Sequence, residues 1–596
     1  MKLTQAISIG QSRLLPVVAI AISVALLTFR MTIGVNFTDE SYYAAFVDGW
    51  LKTGIAGSSD LMAHQTAALW VYPWALIYRA LSGGVDGLMF FLRLVYLALA
   101  TVASLCLFGA VSAYRGQLAA TIATVFALWF IPFGLPAPSY NTIGMWSVLA
   151  ALALFTVPFT RASPGAPTRL PLSLWLSAAW WVVGAVAYPP LVVVPFALVA
   201  AAPWVLRDPA ERRLLLRYTA ACAGLGALTA VVLCVLLQPA HIWQMLRFTN
   251  AMNNVSGGMG RKLQFASTLF AGRPRFAAAC AAAITIAAIA LLCRPKTWIS
   301  RVADVIVALL IMVVVTAPVP TLYVYSHDLV FVLALAGSGG ALRGCFGRDA
   351  SASDRVFGLI YGTALLGGLV TTATAYYGPY NFAIGGFAAA CIAVARRVPR
   401  VTLEDHHSRT DGTASRGRSA STGSTGIVTA LIACGAMSWA AFSSYYGETA
   451  LTYANGVSMP RGVYAGLRTD AEKASYAQQM TQALAGLSGC GDRIAVLRGD
   501  AGIYLMSKLK PDTVSTWGAI ASAGRPVYDM IDAFYRSPAH APDIVVVDNR
   551  DVPWLPPLSD GAKALLANYV LSAQVTAGSY RASIYRLPVC RSNAAG

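Results

Sequence analysis

The stretch 14-LLPVVAIAISVALLTFRMTIGV-35, followed after two residues by 38-TDESYY-43, determines how the rest of the chain is interpreted. An apolar run of about 20 residues is long enough to cross a bilayer and longer than the core of a secretory signal. No convincing cleavage site follows it, so we predict a retained first membrane span. Asp39 and Glu40 then lie at the end of that span, where adjacent carboxylates are costly near lipid and usually serve a function.

The composition is that of a polytopic membrane protein. Hydrophobic residues make up 57% of the chain and charged residues 12%, with a mean hydropathy of +0.60, whereas soluble domains carry about 25% charged residues. The net charge of +18 does not indicate a nucleic-acid partner. Most Lys and Arg lie in short stretches between apolar runs, where positive charge sets the membrane topology.

Apolar runs predict about 13 membrane spans. They lie near residues 14–35, 88–113, 117–135, 141–160, 172–188, 190–206, 218–238, 276–293, 302–320, 328–343, 355–375, 381–396 and 426–446. A cytoplasmic N-terminus places the basic clusters between spans inside, among them Arg212 with Arg213 and Arg396 with Arg397, as the positive-inside rule requires. The odd number of spans then puts the C-terminal tail outside.

This topology divides the chain into a membrane module, a linker and a tail. Residues 1–446 form an α-helical transmembrane module with long external loops at 36–87 and 239–275, and residues 402–425 form a flexible cytoplasmic linker. Residues 447–596 form a small extracytoplasmic α/β domain, in which 493–497 and 543–547 have the pattern of buried strands. The turns rich in His, Asp, Asn and Tyr all fall on the external side, which is the strongest functional signal.

Asp39 and Glu40 are the candidate catalytic residues. One interpretation is a simple helix start, with Thr38 as N-cap and the acids favoured by the helix dipole. A carboxylate at a helix N-terminus also stays ionised, as a general base must be. Such a base would take the proton from an acceptor hydroxyl that attacks a sugar C1. One base suffices when the leaving group is a lipid phosphate, which departs as a stable anion.

Four external cations are candidates for binding that phosphate, and anionic lipid headgroups are the alternative partner for each. They follow a turn-rich segment at 253–260 and break the positive-inside pattern: Arg261, Lys262, Arg273 and Arg275.

Other polar residues on the external side are candidate substrate-binding residues: His64 in the first loop, Tyr140 and Asn141 at the start of one span, and His327 and Asp328 at the start of another. A plain surface histidine and an interfacial tyrosine are the alternatives for His64 and Tyr140. His327 and Asp328 could bind the acceptor, orient the phosphate or hold a divalent metal with Glu40. No other cofactor is predicted, and the metal ligands are unknown.

Cysteine usage excludes a structural zinc site, because no CxxC or Cys/His spacing occurs among the ten cysteines. Most of them lie within or beside apolar runs. Cys490 and Cys590 belong to the tail, where an oxidising compartment favours a structural disulfide between them.

The segment TDESYY directly after span one resembles the Asp-Glu motif of GT-C glycosyltransferases, in particular the protein mannosyltransferase and bacterial lipid A aminoarabinose transferase group. The loop with Asp60 and His64 is similar to that group's first external loop, although the group's His-Pro-Pro is His64-Gln65-Thr66 here. The resemblance implies an enzyme of the bacterial inner membrane that uses a polyprenyl-phosphate-linked monosaccharide. It also implies Asp39 as catalytic base, assisted by Glu40.

We therefore hypothesise an inverting glycosyltransferase that moves a sugar from undecaprenyl phosphate to a cell-envelope glycan, lipid or protein on the external face of the plasma membrane. A transporter or flippase for a lipid-linked saccharide is the alternative. Such transporters show inverted repeats and ionisable residues near mid-span, whereas the acids here lie at the ends of spans. A polytopic scaffold would leave Asp39 and Glu40 unexplained.

Overall fold

The computed structural model shows a bundle of apolar helices joined to a small sheet-containing domain. It describes residues 2–160, 170–255, 258–293, 297–316, 324–347, 349–375, 378–399, 420–443, 445, 448, 452–517, 525–537, 539–550, 552 and 557–589. Within these ranges, nine helices are long and apolar enough to cross a membrane. They are α1 (Lys2–Met31, apolar from Leu14), α4 (Leu88–Arg115), α6 (Tyr140–Thr160), α9 (Pro209–Leu237), α12 (Pro274–Leu292), α13 (Thr297–Thr316), α14 (Val324–Phe346), α15 (Ala352–Thr374) and α18 (Ala420–Ser443).

The other predicted spans fall on shorter or bent apolar helices. These are α5 (Gln117–Leu128), α7 (Leu172–Ala187), α8 (Val193–Val205), and the pair α16 (Phe382–Gly385) and α17 (Phe387–Arg397), which is bent by 62°. Prolines account for two of the interruptions, because proline cannot continue a helix. Pro132 follows α5 in a short 3-10 turn, and Pro189 opens the turn between α7 and α8. The polytopic helical architecture is confirmed, although several predicted spans are shorter than a bilayer requires.

Four further helices occupy the predicted external loops: α2 (Asp39–Thr53), α3 (Gln65–Ser82), α10 (Pro239–Val255) and α11 (Gly258–Gly272). The pattern of the first loop predicts two amphipathic surface helices, near 41–52 and 61–81, with Trp50 and Trp74 at the lipid headgroups. Both helices are present, as α2 and α3. The second loop, expected to be turn-rich, is mostly helical, with its glycine-rich stretch at the break between α10 and α11. Helix α10 reaches the first loop, where His241 Nε2 lies 3.5 Å from Gln65 Oε1.

The C-terminal part contains a five-stranded sheet of order β4-β3-β5-β7-β6. Its strands are β3 (Arg493–Arg498), β4 (Lys510–Pro511), β5 (Ile544–Asp548), β6 (Val570–Ala577) and β7 (Tyr580–Arg586), preceded by an antiparallel pair, β1 (Val457–Ser458) and β2 (Arg468–Thr469). Strand β3 is parallel to β4 and β5, and β7 is antiparallel to β5 and β6. The domain's helices are α19 (Thr452–Asn455), α20 (Ala471–Ala485), α21 (Gly502–Leu505), α22 (Arg525–Arg536) and α23 (Asp560–Leu566).

Both strands expected from the tail sequence are present as β3 and β5. The apolar spacing at 561–571 predicts a helix, and the observed helix ends at Leu566, because the chain then turns into β6. Of the predicted linker 402–425, residues 402–419 lie outside the described residues, and the remainder begins α18. Cys590 also lies outside them, so its disulfide with Cys490 stays a prediction.

The C-terminal domain and the first loop share one hydrophobic core. Phe37, 3% exposed, packs against the rings of Tyr464, Tyr476 and Tyr580. Its carbonyl accepts a hydrogen bond from the Gly502 N–H at 2.7 Å. Helix α2 is therefore covered by the domain, and the prediction that its Trp50 lies at the lipid headgroups is wrong: Trp50 is 1% exposed.

Candidate active site

Helix α2 begins at the two candidate acids because Asn36 fixes the backbone before it. Asn36 Oδ1 accepts hydrogen bonds from the Glu40 backbone N–H and from Thr38 Oγ1, each at 3.0 Å. Thr38 makes no side-chain cap of its own, so the expected threonine cap is replaced by the asparagine. Asp39 and Glu40 both lie in the first helical turn, where the helix dipole favours negative charge.

Glu40 is enclosed in a buried ion pair with Arg93 of α4. The Arg93 Nε lies 2.5 Å from Glu40 Oε1 and its Nη2 lies 2.8 Å from Oε2, and both side chains are at most 1% exposed. The Tyr445 hydroxyl donates to Glu40 Oε2 at 2.9 Å. Arg93 also donates to backbone carbonyls after α1, those of Met31, Ile33 and Gly34. Removing one partner of such a pair costs about 3–5 kcal/mol, so Glu40 ties α4 to the start of α2.

Asp39, the neighbouring residue, has different surroundings. It is half-buried, and its Oδ1 accepts a hydrogen bond from the indole Nε1–H of Trp517 at 3.2 Å. Trp517 belongs to the C-terminal domain, so Asp39 lies where the first loop meets that domain. Of the two adjacent carboxylates, one is committed to an ion pair inside the protein and the other lies at an interface between two parts of the chain.

Four aromatic side chains, here called the aromatic wall, form a series of ring contacts that starts at Tyr42, which interacts with Asp39: Tyr42, His64, Tyr140 and Tyr188. His64 and Tyr140 stack with ring centres 4.2 Å apart and planes within 5°. Tyr188 stacks on the other side of Tyr140 at 5.3 Å, and Tyr42 meets His64 edge-on at 6.2 Å. Tyr42 follows Asp39 by one helical turn, which puts the two on the same face of α2.

The aromatic wall is electrically neutral at physiological pH. Burial lowers the pKa of His64 to about 4 and raises the pKa of Tyr42 well above its ordinary value. The structure brings two predicted substrate-binding residues, His64 and Tyr140, together, and His64 contacts Tyr42, one helical turn after Asp39. A third, Asn141, follows Tyr140 in α6, and its side-chain Oδ1 is buried without a hydrogen bond among the described residues.

His327 and Asp328 lie in a second cluster with Arg273. Arg273 Nη1 donates to Asp328 Oδ1 at 3.2 Å, Nη2 contacts Oδ2, and the same guanidinium reaches the Tyr380 hydroxyl at 3.3 Å. His327 Nε2 accepts from the Phe133 backbone N–H at 2.9 Å, so its Nδ1 carries the proton that is donated to the Tyr380 carbonyl at 2.7 Å. Both ring nitrogens of His327 are hydrogen bonded, and they join the start of α14 to the short turns that contain Phe133 and Tyr380.

The four predicted phosphate-binding residues do not form one cluster. Arg273 is paired with Asp328, and Arg275 is exposed and takes part in no ion pair within the described part of the chain. The Lys262 ammonium contacts the Ala373 carbonyl, and Thr374, the next residue, hydrogen bonds to the Tyr188 hydroxyl at 2.9 Å. Lys262 is thereby linked to the aromatic wall. The side chain of Arg261, in α11, lies outside the described residues.

A metal site is not formed by the side chains that the sequence suggested. Among the described residues, no three His, Cys, Asp or Glu side chains come together. Glu40 is bound to Arg93, and both nitrogens of His327 are hydrogen bonded. These residues do not fit a divalent ion in this arrangement.

Sequence analysis missed Arg93, Asp60 and Trp517 as parts of this site. Arg93 had a usable signal, because an arginine within an apolar span requires a partner. Asp60 was noted only as part of a family resemblance. Trp517 carries no local signal, since its contact with Asp39 joins residues 478 positions apart.

The chain was compared with known proteins. No family model and no curated protein matches it. Among solved structures it is similar to the oligosaccharyltransferase of Archaeoglobus fulgidus: to the apo form with TM-score 0.47 and 12% identity over 89% of this chain and 69% of the other. For the form tethered to an acceptor peptide, the TM-score is 0.48 and the identity 10%, over 95% of this chain and 74% of the other. For the complex with Zn and sulfate, the TM-score is 0.46 and the identity 11%, over 89% of this chain and 68% of the other. Similarity at this level establishes no shared activity, substrate or metal.

Proposed function

We propose that the protein is a GT-C-type membrane glycosyltransferase with Asp39 as its general base. The reaction is transfer of a monosaccharide from a polyprenyl phosphate to a cell-envelope acceptor on the extracytoplasmic face, with inversion at the sugar C1. The proposal joins the acidic motif after the first span with the position of Asp39 beside the aromatic wall. Its support lies in this chain's own residues.

The observation that carries the proposal is the division of labour between two adjacent acids. Glu40 is sealed against Arg93 inside the protein, whereas Asp39 is half-buried at the edge of the aromatic wall. A general base must lie within reach of the proton that it removes. We assign that role to the half-buried Asp39, and Glu40 holds the helix turn to which it belongs. We therefore assign Glu40 a positioning role.

The transfer needs only one carboxylate. Asp39 accepts the proton of the acceptor O–H or N–H as the acceptor atom forms a bond to the sugar C1. The bond between C1 and the phosphate oxygen breaks at the same time, and polyprenyl phosphate leaves with the bonding electrons. Attack from the face opposite to the leaving group inverts C1. Asp39 then releases its proton to solvent.

Aromatic and basic side chains supply the remaining functions. The neutral rings of Tyr42, His64, Tyr140 and Tyr188 offer apolar faces against which a sugar ring can pack. Lys262 is the best placed of the candidate cations for the leaving phosphate, because it contacts the residue next to Thr374, the hydrogen-bond partner of Tyr188. A cation at the leaving group stabilises the charge that develops in the transition state.

The test compares Asp39→Asn with Glu40→Gln and the control Asp86→Asn, an exposed acid of the same loop. Asp39→Asn is expected to lose at least about 100-fold in transfer, the usual contribution of a general base, with unchanged thermal stability. Glu40→Gln is expected to lower stability by about 3–5 kcal/mol because it leaves Arg93 unpaired. Asp86→Asn should match the wild type.

The measurements are mass spectrometry of envelope glycans in complemented deletion cells and melting of the purified protein in detergent. Wild-type transfer by Asp39→Asn would end the proposal.

One structural feature favours the alternative of a lipid-saccharide flippase. Helices α16 and α17 form a broken apolar pair, bent by 62°, and broken helices occur at the substrate sites of transporters. Two buried ionisable residues of the bundle argue against it, since Asp328 and Arg93 lie near the ends of their helices. Translocation of fluorescent polyprenyl-phosphate lipid in proteoliposomes that persists in Asp39→Asn would favour the flippase.

A further inference from the structure

A segment of the C-terminal domain, here called the clamp segment (residues 513–517), contacts the first loop both at Asp60 and at Asp39. The Leu61 N–H donates to the Val514 carbonyl, and Ser59 Oγ donates to the Thr513 carbonyl, both at 2.9 Å. The clamp segment begins beside Ser59 and ends at Trp517, against Asp39. It thus connects two parts of the first loop that are about 20 residues apart along the chain.

Asp60 anchors the clamp segment. Its Oδ2 accepts hydrogen bonds from the Thr516 backbone N–H at 2.7 Å and from Thr516 Oγ1 at 2.9 Å, and its Oδ1 accepts from the Met62 N–H at 2.9 Å. Asp60 is 3% exposed. A buried carboxylate is costly unless its oxygens are hydrogen bonded, and here three donors satisfy it. This fixes the residue immediately before Trp517.

Trp517 carries that fixed geometry to Asp39. The indole ring packs near Tyr42, with ring centres 6.0 Å apart, and its Nε1–H points to Asp39 Oδ1 at 3.2 Å. A large ring held by packing has few rotamers, so the donor has a defined direction. A hydrogen bond to a carboxylate also favours its ionised form.

We propose that Trp517 is a positioning residue for the base Asp39 and that Asp60 acts through Thr516 to hold Trp517 in place. This inference rests on the proposed function, and it adds that the active site includes a residue from the C-terminal domain. The domain is then part of the site that performs sugar transfer.

Other ionisable groups also lie near Asp39. Asp500 of the C-terminal domain interacts with Asp39 electrostatically and is paired with Arg550 at 2.6 Å. Glu40 is paired with Arg93. Tyr42 and Tyr43 also interact with Asp39, and burial raises the pKa of each well above the ordinary value, so both are neutral. Loss of the indole donor removes a hydrogen bond that favours the ionised form of Asp39, so we expect its pKa to rise.

The first test replaces Trp517 with Phe, which keeps an aromatic ring and removes the N–H. The matched control is Trp74→Phe, at a tryptophan that is 47% exposed on α3. Dicyclohexylcarbodiimide modifies protonated carboxyls, so the rate of Asp39 modification against pH, followed by peptide mass spectrometry, reports its pKa without any substrate. We expect the pH midpoint of Asp39 modification to rise by about 1 unit in Trp517→Phe. At a fixed pH above the midpoint, Asp39 is then modified about tenfold faster than in the wild type. Trp74→Phe should match the wild type.

The second test acts on the anchor. In Asp60→Asn, an amide N–H replaces one carboxylate oxygen and cannot accept from the Thr516 N–H, so Thr516 and then Trp517 are displaced. Thr516→Val keeps the backbone bond and loses only the hydroxyl bond. We expect the Asp39 midpoint to shift in the order Trp517→Phe, Asp60→Asn, Thr516→Val, from largest to smallest. Equal shifts in all variants would indicate general loosening of the domain and contradict the proposal.

Sugar transfer in complemented cells separates this proposal from the proposed function. Trp517→Phe is expected to reduce transfer about tenfold while Asp39→Asn abolishes it. If Asp39→Asn is inactive and Trp517→Phe has wild-type transfer and an unshifted midpoint, the positioning role is wrong and the glycosyltransferase assignment stands. If Asp39→Asn is active, the proposed function itself fails.

Discussion

At the scale of single residues, neighbours in sequence have different roles because their partners lie far away along the chain. Asp39 and Glu40 look equivalent in the sequence. Arg93 on α4 takes up Glu40, and Trp517 in the C-terminal domain contacts Asp39. The acidic pair could be recognised from its place after a span. The different surroundings of the two acids could not be recognised, because they depend on partners 53 and 478 positions away.

His64 provides a pH test at this scale. Burial lowers its folded pKa to about 4, below the ordinary value of about 6.5. Between these values the unfolded chain binds more protons, so stability is lost as pH falls from about 6.5 to about 4. His64→Phe keeps a ring against Tyr140 and cannot titrate. As pH is lowered from 7 through this range, the melting temperature of the wild type should fall more than that of His64→Phe. Parallel curves would show that folding leaves the pKa of His64 near its ordinary value.

At the scale of elements, close packing of α12 against α14 holds the second cluster together. Arg273 directly precedes α12, and Asp328 lies in the first turns of α14. Gly339 on α14 packs so closely that a Cβ built there would lie 1.7 Å from the Ala287 carbonyl oxygen of α12. Small residues allow such close approach between membrane helices. The apolar runs predicted both helices, but nothing local to Gly339 indicates which helix it faces.

Gly339→Ala should therefore destabilise the bundle, because either the helices separate or the backbone shifts. Overpacking of this kind costs about 1–3 kcal/mol. Gly226→Ala on α9 is the matched control, since a Cβ there meets nothing within 4 Å, and alanine is the better helix former. Thermal unfolding in detergent should show a lower melting temperature for Gly339→Ala and an unchanged or slightly higher one for Gly226→Ala. A stable Gly339→Ala would mean that the two helices are farther apart than described.

At the scale of the whole molecule, the C-terminal domain and the first loop form one folding unit. The sequence predicted both parts, since one has strand patterns and the other has amphipathic helices. It did not predict that they share a core, because no local pattern in Phe37 or Gly502 records their contact. Interfacial tryptophans were expected at Trp50 and Trp74 alike. Only tertiary packing determines that Trp50 is buried and Trp74 is exposed.

Phe37→Ala tests this shared core. Truncation of a buried phenylalanine costs about 3–5 kcal/mol, and here the loss falls on both sides of the interface. Hydrogen exchange by mass spectrometry should show faster exchange in peptides of α2 and also of α20 and α21. Phe196→Ala, at a side chain 70% exposed on α8, is the control and should change neither. Faster exchange confined to α2 would show that the domain folds independently of the loop.

The contact between Asp39 and Trp517 has a consequence for biosynthesis. The ribosome delivers Asp39 early and Trp517 hundreds of residues later, after the bundle has entered the bilayer. On the proposed role of Trp517, a half-made chain meets carrier lipids with an unoriented base and cannot consume them. If the C-terminal domain is extracytoplasmic as proposed, the site becomes competent only after this domain has crossed the membrane and folded, so the order of translation itself delays the first turnover.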